Sequence, residues 1–259
     1  MPPRDAATVA LLRDGSRGIE VYLLRRVVGM AFAGGMTVFP GGTVDPDDAV
    51  TAAGPSIGWV GPSPAHWAAR LSTDEITATA LLSAAVRETF EEAGVLLAGR
   101  SARSVVDASG PAWLAARDAV ERHELSLAAL LHREGLVLRT DLLRAWSRWV
   151  TPEQEPRRYD ARFFVAALPD GLRTDTSTGE AEDAAWLRPA DALAETRAGA
   201  RALLPPTSVT LTELSRYGSV SEALAAADRR SLTPVRPVFE DGAVVLPDGT
   251  RLPLPGSSA

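Results

Sequence analysis

Glu88, Glu91 and Glu92 stand together near the end of a stretch, Thr73 to Ala93, in which Leu82, Ala85, Val86, Thr89, Phe90 and Ala93 recur at helical spacing. At about 100° per residue the three carboxylates fall in one arc, away from the Leu82, Val86 and Phe90 stripe. Such clustering is locally unfavourable. Glu88 and Glu92 are like charges four residues apart, and Glu91 and Glu92 occupy the last turn, where the helix macrodipole disfavours anions. Arg87 can pair with Glu91 four residues on and neutralise one charge. A hard divalent cation with oxygen ligands would neutralise the rest. A solvated acidic face ahead of a Gly94 cap is the alternative, and these residues alone leave both readings open.

Composition bounds the other chemistry. The chain has 259 residues, its 27 basic residues are all Arg, and it contains no Lys, Asn or Cys. Cysteine nucleophiles, thiolate metal sites, disulfides and lysine Schiff bases are thereby excluded. A content of 46% hydrophobic and 23% charged residues suits a globular core, and the net charge of −6 argues against a nucleic-acid or anionic-membrane partner. The apolar run after the N-terminus meets Arg13 too early for a signal segment, and no later run approaches membrane-spanning length. The expectation is a cytoplasmic protein.

The elements that must position these carboxylates follow from pattern. Ala6 to Leu12 and Ile19 to Val28 read as strands of a hairpin, and Met36 to Phe39 as a third strand that stops at Pro40-Gly41-Gly42. Asp45 to Arg70 reads as a long loop or insertion without periodicity. Gly94 reads as the left-handed cap of the central helix. Two short helices are predicted within 111 to 134, split near His123 to Ser126. Strands follow at Trp146 to Val150, Arg162 to Leu168 and Ala184 to Leu187, then a helix from Pro189 to about Ala202. Helices at Thr207 to Tyr217 and Val220 to Arg229 precede a hairpin around Val244 to Thr250. His66, His123 and His132 lack ligand spacing and read as structural or surface residues.

Arg87-Glu88-Thr89-Phe90-Glu91-Glu92-Ala93-Gly94-Val95 resembles the core of the Nudix box, G-x5-E-x7-R-E-U-x-E-E-x-G-U with U bulky and apolar; Thr89 departs mildly at U. Phe39-Pro40-Gly41-Gly42 matches the strand and glycines that open the box. Asp48 stands six residues after Gly42, where the family has its first Glu. The box places Arg fourteen residues after that Gly; here the separation is 87 − 42 = 45, so 45 − 14 = 31 extra residues lie inside the motif. A box split in this way resembles the acyl-coenzyme A diphosphatases of the peroxisomal type and their bacterial relatives. The segment from Trp149 to Phe164 is similar to the W-x-T-P-x-x-x-P-R-R-F-D-T-R-F-F stretch of that subgroup, and Leu203-Leu204-Pro205-Pro206-Thr207 to its C-terminal part.

The resemblance implies one Nudix domain over residues 1–259, an α+β fold of α/β/α sandwich type with a mixed β-sheet between helices. It carries an insertion at about 49–72, extra helices at about 111–134 and a C-terminal extension from about 203. The implied activity is hydrolysis of a diphosphate linkage with Mg²⁺ or Mn²⁺ held by Glu88, Glu91 and Glu92. Glu91 and Arg87 would be catalytic, with Arg87 orienting Glu91. A further base would come from Glu182 or Glu180, with Glu182 preferred and a solvated loop carboxylate as the competing reading of each. Gly41 and Gly42 would let the backbone approach metal and phosphates. Arg157 and Arg158 would hold a substrate phosphate, or else fix their own loop through Glu153, Glu155 or Asp160. Ile57, Trp59 and Trp67 would pack the insertion on the core, with an acyl or pantetheine arm as the alternative contact. The implied partner is a small nucleotide of the coenzyme A type, without nucleic acid or membrane; a homodimer is left open. Another nucleotide diphosphate, or a non-catalytic nucleotide sensor, are the rival functions.

Overall fold

The computed structural model describes residues 2–29, 33–49, 58–175 and 181–253. The two apolar runs form the hairpin β1 (Arg4–Gly15) and β2 (Gly18–Arg26), closed where Gly15 pairs with Gly18. The two strands are paired from Leu12 to Gly15, and beyond Val21 they separate. The chain returns through that opening. β3 (Thr37–Val38) pairs with β2 at Leu24 and Arg25, and β4 (Gly41–Thr43) pairs with β1 at Ala6, Ala7 and Thr8. The strand expected to end at Pro40 thus resumes one residue later on a different neighbour, because the Pro40 carbonyl still accepts from Val9 N at 2.8 Å.

The stretch expected to be an irregular loop carries structure: α1 (Pro46–Ala49), β5 (Gly58–Val60) and α2 (Pro64–Leu71). Helix α2 has its own signals, with Ser63 accepting from His66 N at 3.2 Å as cap and Pro64 in the first turn, where the missing N–H costs nothing. Eight residues are too few for periodicity to reveal it. Ile57 lies outside the described residues.

Helix α3 (Glu75–Ala93) begins at Asp74, which accepts from Thr77 N at 2.9 Å, and ends at Gly94 with φ 67°, as the sequence predicts. Every residue from Ala78 to Ala93 is buried, not one face alone. Ala78, Ala80, Ser83, Ala84 and Ala85 permit close approach, and the Thr89 hydroxyl is satisfied by donating to the Ala85 carbonyl at 2.7 Å. β6 (Ala98–Gly99), α4 (Pro111–Glu121), α5 (Leu127–Glu134) and β7 (Val137–Arg139) follow. β5, β7 and β6 form a small sheet whose strands of two or three residues give no alternation to read.

β8 (Leu143–Val150), β9 (Tyr159–Ala167) and β10 (Ala181–Leu187) complete the main sheet, ordered β10-β2-β1-β9-β8 with β3 and β4 beside β2 and β1. β1 runs parallel to β9 and the remaining pairs are antiparallel, so the sheet is mixed. Helix α6 (Pro189–Arg197) ends short of the expected Ala202, since the chain turns at Gly199 with φ 75°. α7 (Pro205–Leu214), α8 (Val220–Ala227), β11 (Val238–Glu240), β12 (Ala243–Val245) and β13 (Arg251–Pro253) close the chain.

Strand alternation sends Ala7, Val9 and Leu11 of β1 into a core with α2 to α5, and Ala10 and Leu12 into a second core with α6 to α8. The result is the expected α/β/α layering. No helix is long and apolar enough to cross a membrane among the described residues. A Cβ at Gly94 would lie 3.0 Å from the Asp175 Cβ, in addition to the left-handed backbone. Gly94→Ala is expected to cost about 1–2 kcal/mol and to lower Tm by about 2–8 °C in scanning calorimetry; an unchanged Tm would contradict the cap.

Candidate active site

Helix α3 presents Arg87, Glu88, Glu91 and Glu92 to the inner edge of β4, and all four are buried. The Arg87 guanidinium joins the group. Its Nε and Nη2 donate to the Asp48 carboxylate at 3.2 and 3.0 Å, Nη2 also donates to the Thr43 carbonyl at 2.8 Å, and Nη1 reaches Glu88 at 2.9 Å and Glu91 at 3.3 Å. Asp45 stands 3.8 Å away. Asp48 therefore has a defined position despite the insertion: from α1, it grips the back of Arg87. Glu92 accepts from the Gly41 amide at 2.9 Å and faces Arg26 Nη1 at 3.5 Å.

The two glycines are required by space. A Cβ on Gly42 would fall 2.3 Å from Glu88 Oε1, and one on Gly41 would fall 2.6 Å from the Ala7 carbonyl oxygen. Arg117 of α4 compensates the crowded helix end by donating Nε–H to the Glu91 carbonyl at 2.8 Å, where the macrodipole is negative.

Electrostatically the group is crowded with carboxylates. Five of them (Asp45, Asp48, Glu88, Glu91, Glu92) gather around the guanidiniums of Arg87 and Arg26, with the His123 imidazole 3.2 Å from Asp45. Burial raises the Glu88 pKa well above the usual range; Arg87 opposes this, while Glu92 and Glu91 add to it. Burial likewise raises Glu91 and Asp48 in spite of Arg87. Burial works against the Arg87 charge too, but Glu88, Asp48 and Glu91 outweigh it and hold its pKa above the ordinary value. The solvated acidic face is thus not what the fold builds.

The donor set suits a hard divalent cation: carboxylate oxygens, buried, under-compensated, and open to a cavity of about 710 Å³. Among the described residues no three His, Asp or Glu side chains already converge on one ion position. In the observed arrangement Arg87 engages Glu88 and Glu91, while the Gly41 amide and Arg26 engage Glu92.

The three separated sequence motifs meet at this cavity. Its wall includes Gly41 and Gly42, the α3 glutamates, Trp149, Thr151, Pro152 and Tyr159 of the second motif, and Leu204 to Thr207 of the third. The second motif is held rigid from behind: Arg148 takes both oxygens of Asp160 at 2.9 and 2.6 Å, and Arg162 adds a contact at 2.7 Å. Burial alone would raise Asp160, but these two arginines leave its pKa below the usual value.

Other expected residues lie elsewhere. Glu182 sits at a bulge of β10, accepting from Val28 N at 3.3 Å and 3.9 Å from Arg25, and is not part of the cavity wall; Glu180 lies outside the described residues. Arg158 donates Nε–H to the Thr151 carbonyl at 3.2 Å, within its own loop, and Arg157 is exposed; neither belongs to the wall. Trp67 packs against Phe164 at 6.2 Å, and Trp59 donates to the Pro62 carbonyl at 2.7 Å. Arg26 and His123 were not foreseen at the site. His123 follows α4 with φ 56°, places Nδ1 3.2 Å from Asp45, and lines the cavity. The only trace of it in the sequence is the helix break it occupies.

The profile of the family described as NUDT19 Nudix domain matches residues 65–216, more than half of the chain. The chain belongs to that family. Nudix hydrolases generally use divalent metal ions, which agrees with the donor set above. The acyl-coenzyme A diphosphatase NUDT19 of Gallus gallus is 29% identical over 305 residues, covering 96% of this chain and 79% of that protein. The Homo sapiens protein of the same name is 30% identical over 284 residues, covering 93% and 74%. A nudix hydrolase homologue from Caenorhabditis elegans is 28% identical over 230 residues; the chain spans about two thirds (66%) of its length. A crystallised NUDIX hydrolase from Alicyclobacillus acidocaldarius shares the fold with a TM-score of 0.74 at 28% identity, covering 90% of this chain and 98% of that one.

Because the Glu88 pKa is raised in the folded state, its ionisation opposes folding, and that cost is lost progressively as the pH falls from the folded pKa toward the ordinary value of the unfolded chain. In chelator at neutral pH, Glu88→Gln is expected to raise Tm by roughly 2–4 °C for each kcal/mol recovered; a fall in Tm would contradict the charge imbalance.

Proposed function

We propose that this member of the NUDT19 Nudix family hydrolyses the diphosphate linkage of coenzyme A or an acyl-coenzyme A, releasing a 4′-phosphopantetheine species and adenosine 3′,5′-bisphosphate. The observation that carries the reading is the convergence of three sequence motifs on one cavity whose charged end is a buried, under-compensated glutamate cluster. The NUDT19 relatives are named for the same activity.

Glu88, Glu91 and Glu92 would hold Mg²⁺ or Mn²⁺. Such an ion, when bound, neutralises phosphate oxygens and lowers the pKa of a bound water. Arg87, anchored by Asp48 and the Thr43 carbonyl, fixes the rotamers of Glu88 and Glu91. Glu91 lines the cavity with a raised pKa, which suits it to accept a proton from the attacking water at a carboxylate oxygen. Glu182 has a weaker claim to that role, given its contacts with Val28 and Arg25. The Gly41 amide positions Glu92, and the absence of a side chain at Gly42 leaves room for Glu88.

The test is incubation with Mg²⁺ or Mn²⁺ and a panel of coenzyme A, acyl-coenzyme A, NADH, ADP-ribose and nucleoside triphosphates. Cleavage is expected to favour the coenzyme A species, and Glu91→Gln is expected to lower kcat by about 10²–10⁴. Absence of any diphosphate cleavage, or full activity in the variant, would sink the reading. Preference for a substrate without a pantetheine arm would keep the reaction and reject the substrate.

A further inference from the structure

His123 ends α4 in the left-handed region, with φ 56°. The turn is a helix stop of the kind usually built on glycine: the Glu124 amide donates to the Ala119 carbonyl at 2.8 Å and the His123 amide to the Val120 carbonyl at 2.9 Å. Gly94 and Gly135 close α3 and α5 in the same region, at φ 67° and 63°. A residue with a Cβ is strained there, and the two backbone bonds of the turn need no side chain.

The imidazole reaches the site instead. Nδ1 stands 3.2 Å from Asp45 Oδ2, the side chain is about two-thirds exposed, and it forms part of the same cavity wall as the α3 glutamates. Ser72 ends α2 with a similar φ of 54° and is not part of that wall. The C-terminus of α4 favours a cation at this point, and the adjacent Arg122 is paired with Glu124 at 2.9 Å. A carboxylate so placed accepts an N–H from Nδ1, so Nε2 carries a second N–H only in the imidazolium. That charge is felt at the cluster: burial raises the Glu91 pKa, while Arg87 and then His123 oppose the rise.

Among the described residues three basic side chains border the cavity, Arg26, Arg87 and His123. Arg87 directs its donors to Asp48, the Thr43 carbonyl, Glu88 and Glu91, and Arg26 faces Glu92. His123 forms its ion pair with Asp45, outside the three glutamates assigned to the metal. A diphosphate ester is anionic at both phosphorus atoms, and hydrolysis adds charge to the departing phosphate. Resting on the diphosphate hydrolysis proposed above, we infer that His123 is a catalytic residue of that reaction, whose imidazolium, held by Asp45, donates Nε2–H to a phosphate oxygen of the substrate. The contact is a charge-assisted hydrogen bond. No proton is transferred through it, and Glu91 remains the acceptor of the water proton.

The experiment measures kcat/KM of the metal-loaded enzyme for coenzyme A in the wild type and in His123→Gly, His123→Gln and His123→Arg, with the Tm of each in chelator and across a Mn²⁺ titration. His123→Gly relieves the left-handed position, so its Tm in chelator is expected to rise and its response to Mn²⁺ to match the wild type, while kcat/KM falls by about 10- to 100-fold. His123→Gln can still pair with Asp45 but carries no charge, and is expected to lose a similar factor; His123→Arg keeps a cation and is expected to recover most of the rate. Full kcat/KM in the Gly or Gln variant, no recovery in the Arg variant over the Gln variant, or a lowered Tm in His123→Gly overturns the inference and leaves the hydrolysis standing. A wild type that cleaves neither coenzyme A nor any other diphosphate of the panel rejects the functional reading itself, and this inference with it.

Discussion

The Arg87 guanidinium is the interaction on which the site depends. Five donors in a rigid fork let one residue bind Asp48, Glu88, Glu91 and the Thr43 carbonyl together. This ties α1, β4 and α3 at a single point. It also explains how the motif survives 31 additional residues between Gly42 and Arg87. Asp48 returns to Arg87 before the insertion departs, and α2 then delivers the chain back to the start of α3. Among the described residues of the insertion, β5 and α2 lengthen the connection and contribute no ion pair to the charged cluster.

Around that point the sheet is opened. β1 and β2 separate beyond Val21, β3 and β4 fill the gap, and the glycines of β4 come within contact of the α3 carboxylates. A flat sheet would have sealed the two cores from each other. With the strands splayed, the cavity connects the charged face of α3 with the apolar face beneath α7 and the C-terminal strands. Rigidity behind the wall comes from Asp160 and its two arginines, which hold β8 to β9 where the second motif turns.

Much of this was legible in the sequence, and the rest was not for definite reasons. Helix α3 announced its C-terminal end through Gly94, and its glutamates broke local charge rules, which made them candidates for a functional site beside the plainer reading of a solvated face. Their burial was invisible, because the residues covering them come from α1, α4 and β4, distant in the chain. Arg26 and Arg117 gave no signal, since a lone Arg on a strand or helix has no pattern until its partner is known. Glu182 illustrates the converse case. Its acidic neighbourhood and its place before a strand suggested a base, but the bulge in β10 aims it toward Val28 and Arg25. The wall built by β11 and β12 depended on tertiary packing of a Pro-rich tail that composition alone could not place.

Folding buries a cluster of carboxylates around one guanidinium, an excess of negative charge that a bound divalent ion would relieve. The most direct measurement is the Tm of the wild type and of Glu88→Gln as Mn²⁺ is titrated at constant ionic strength. Selective binding to the folded state at about 100 times Kd stabilises by about 2.7 kcal/mol, so the wild-type Tm should climb by roughly 5–11 °C, and Glu88→Gln should start higher and climb less. A wild-type Tm indifferent to Mn²⁺, or an equal climb in the variant, would contradict the central claim.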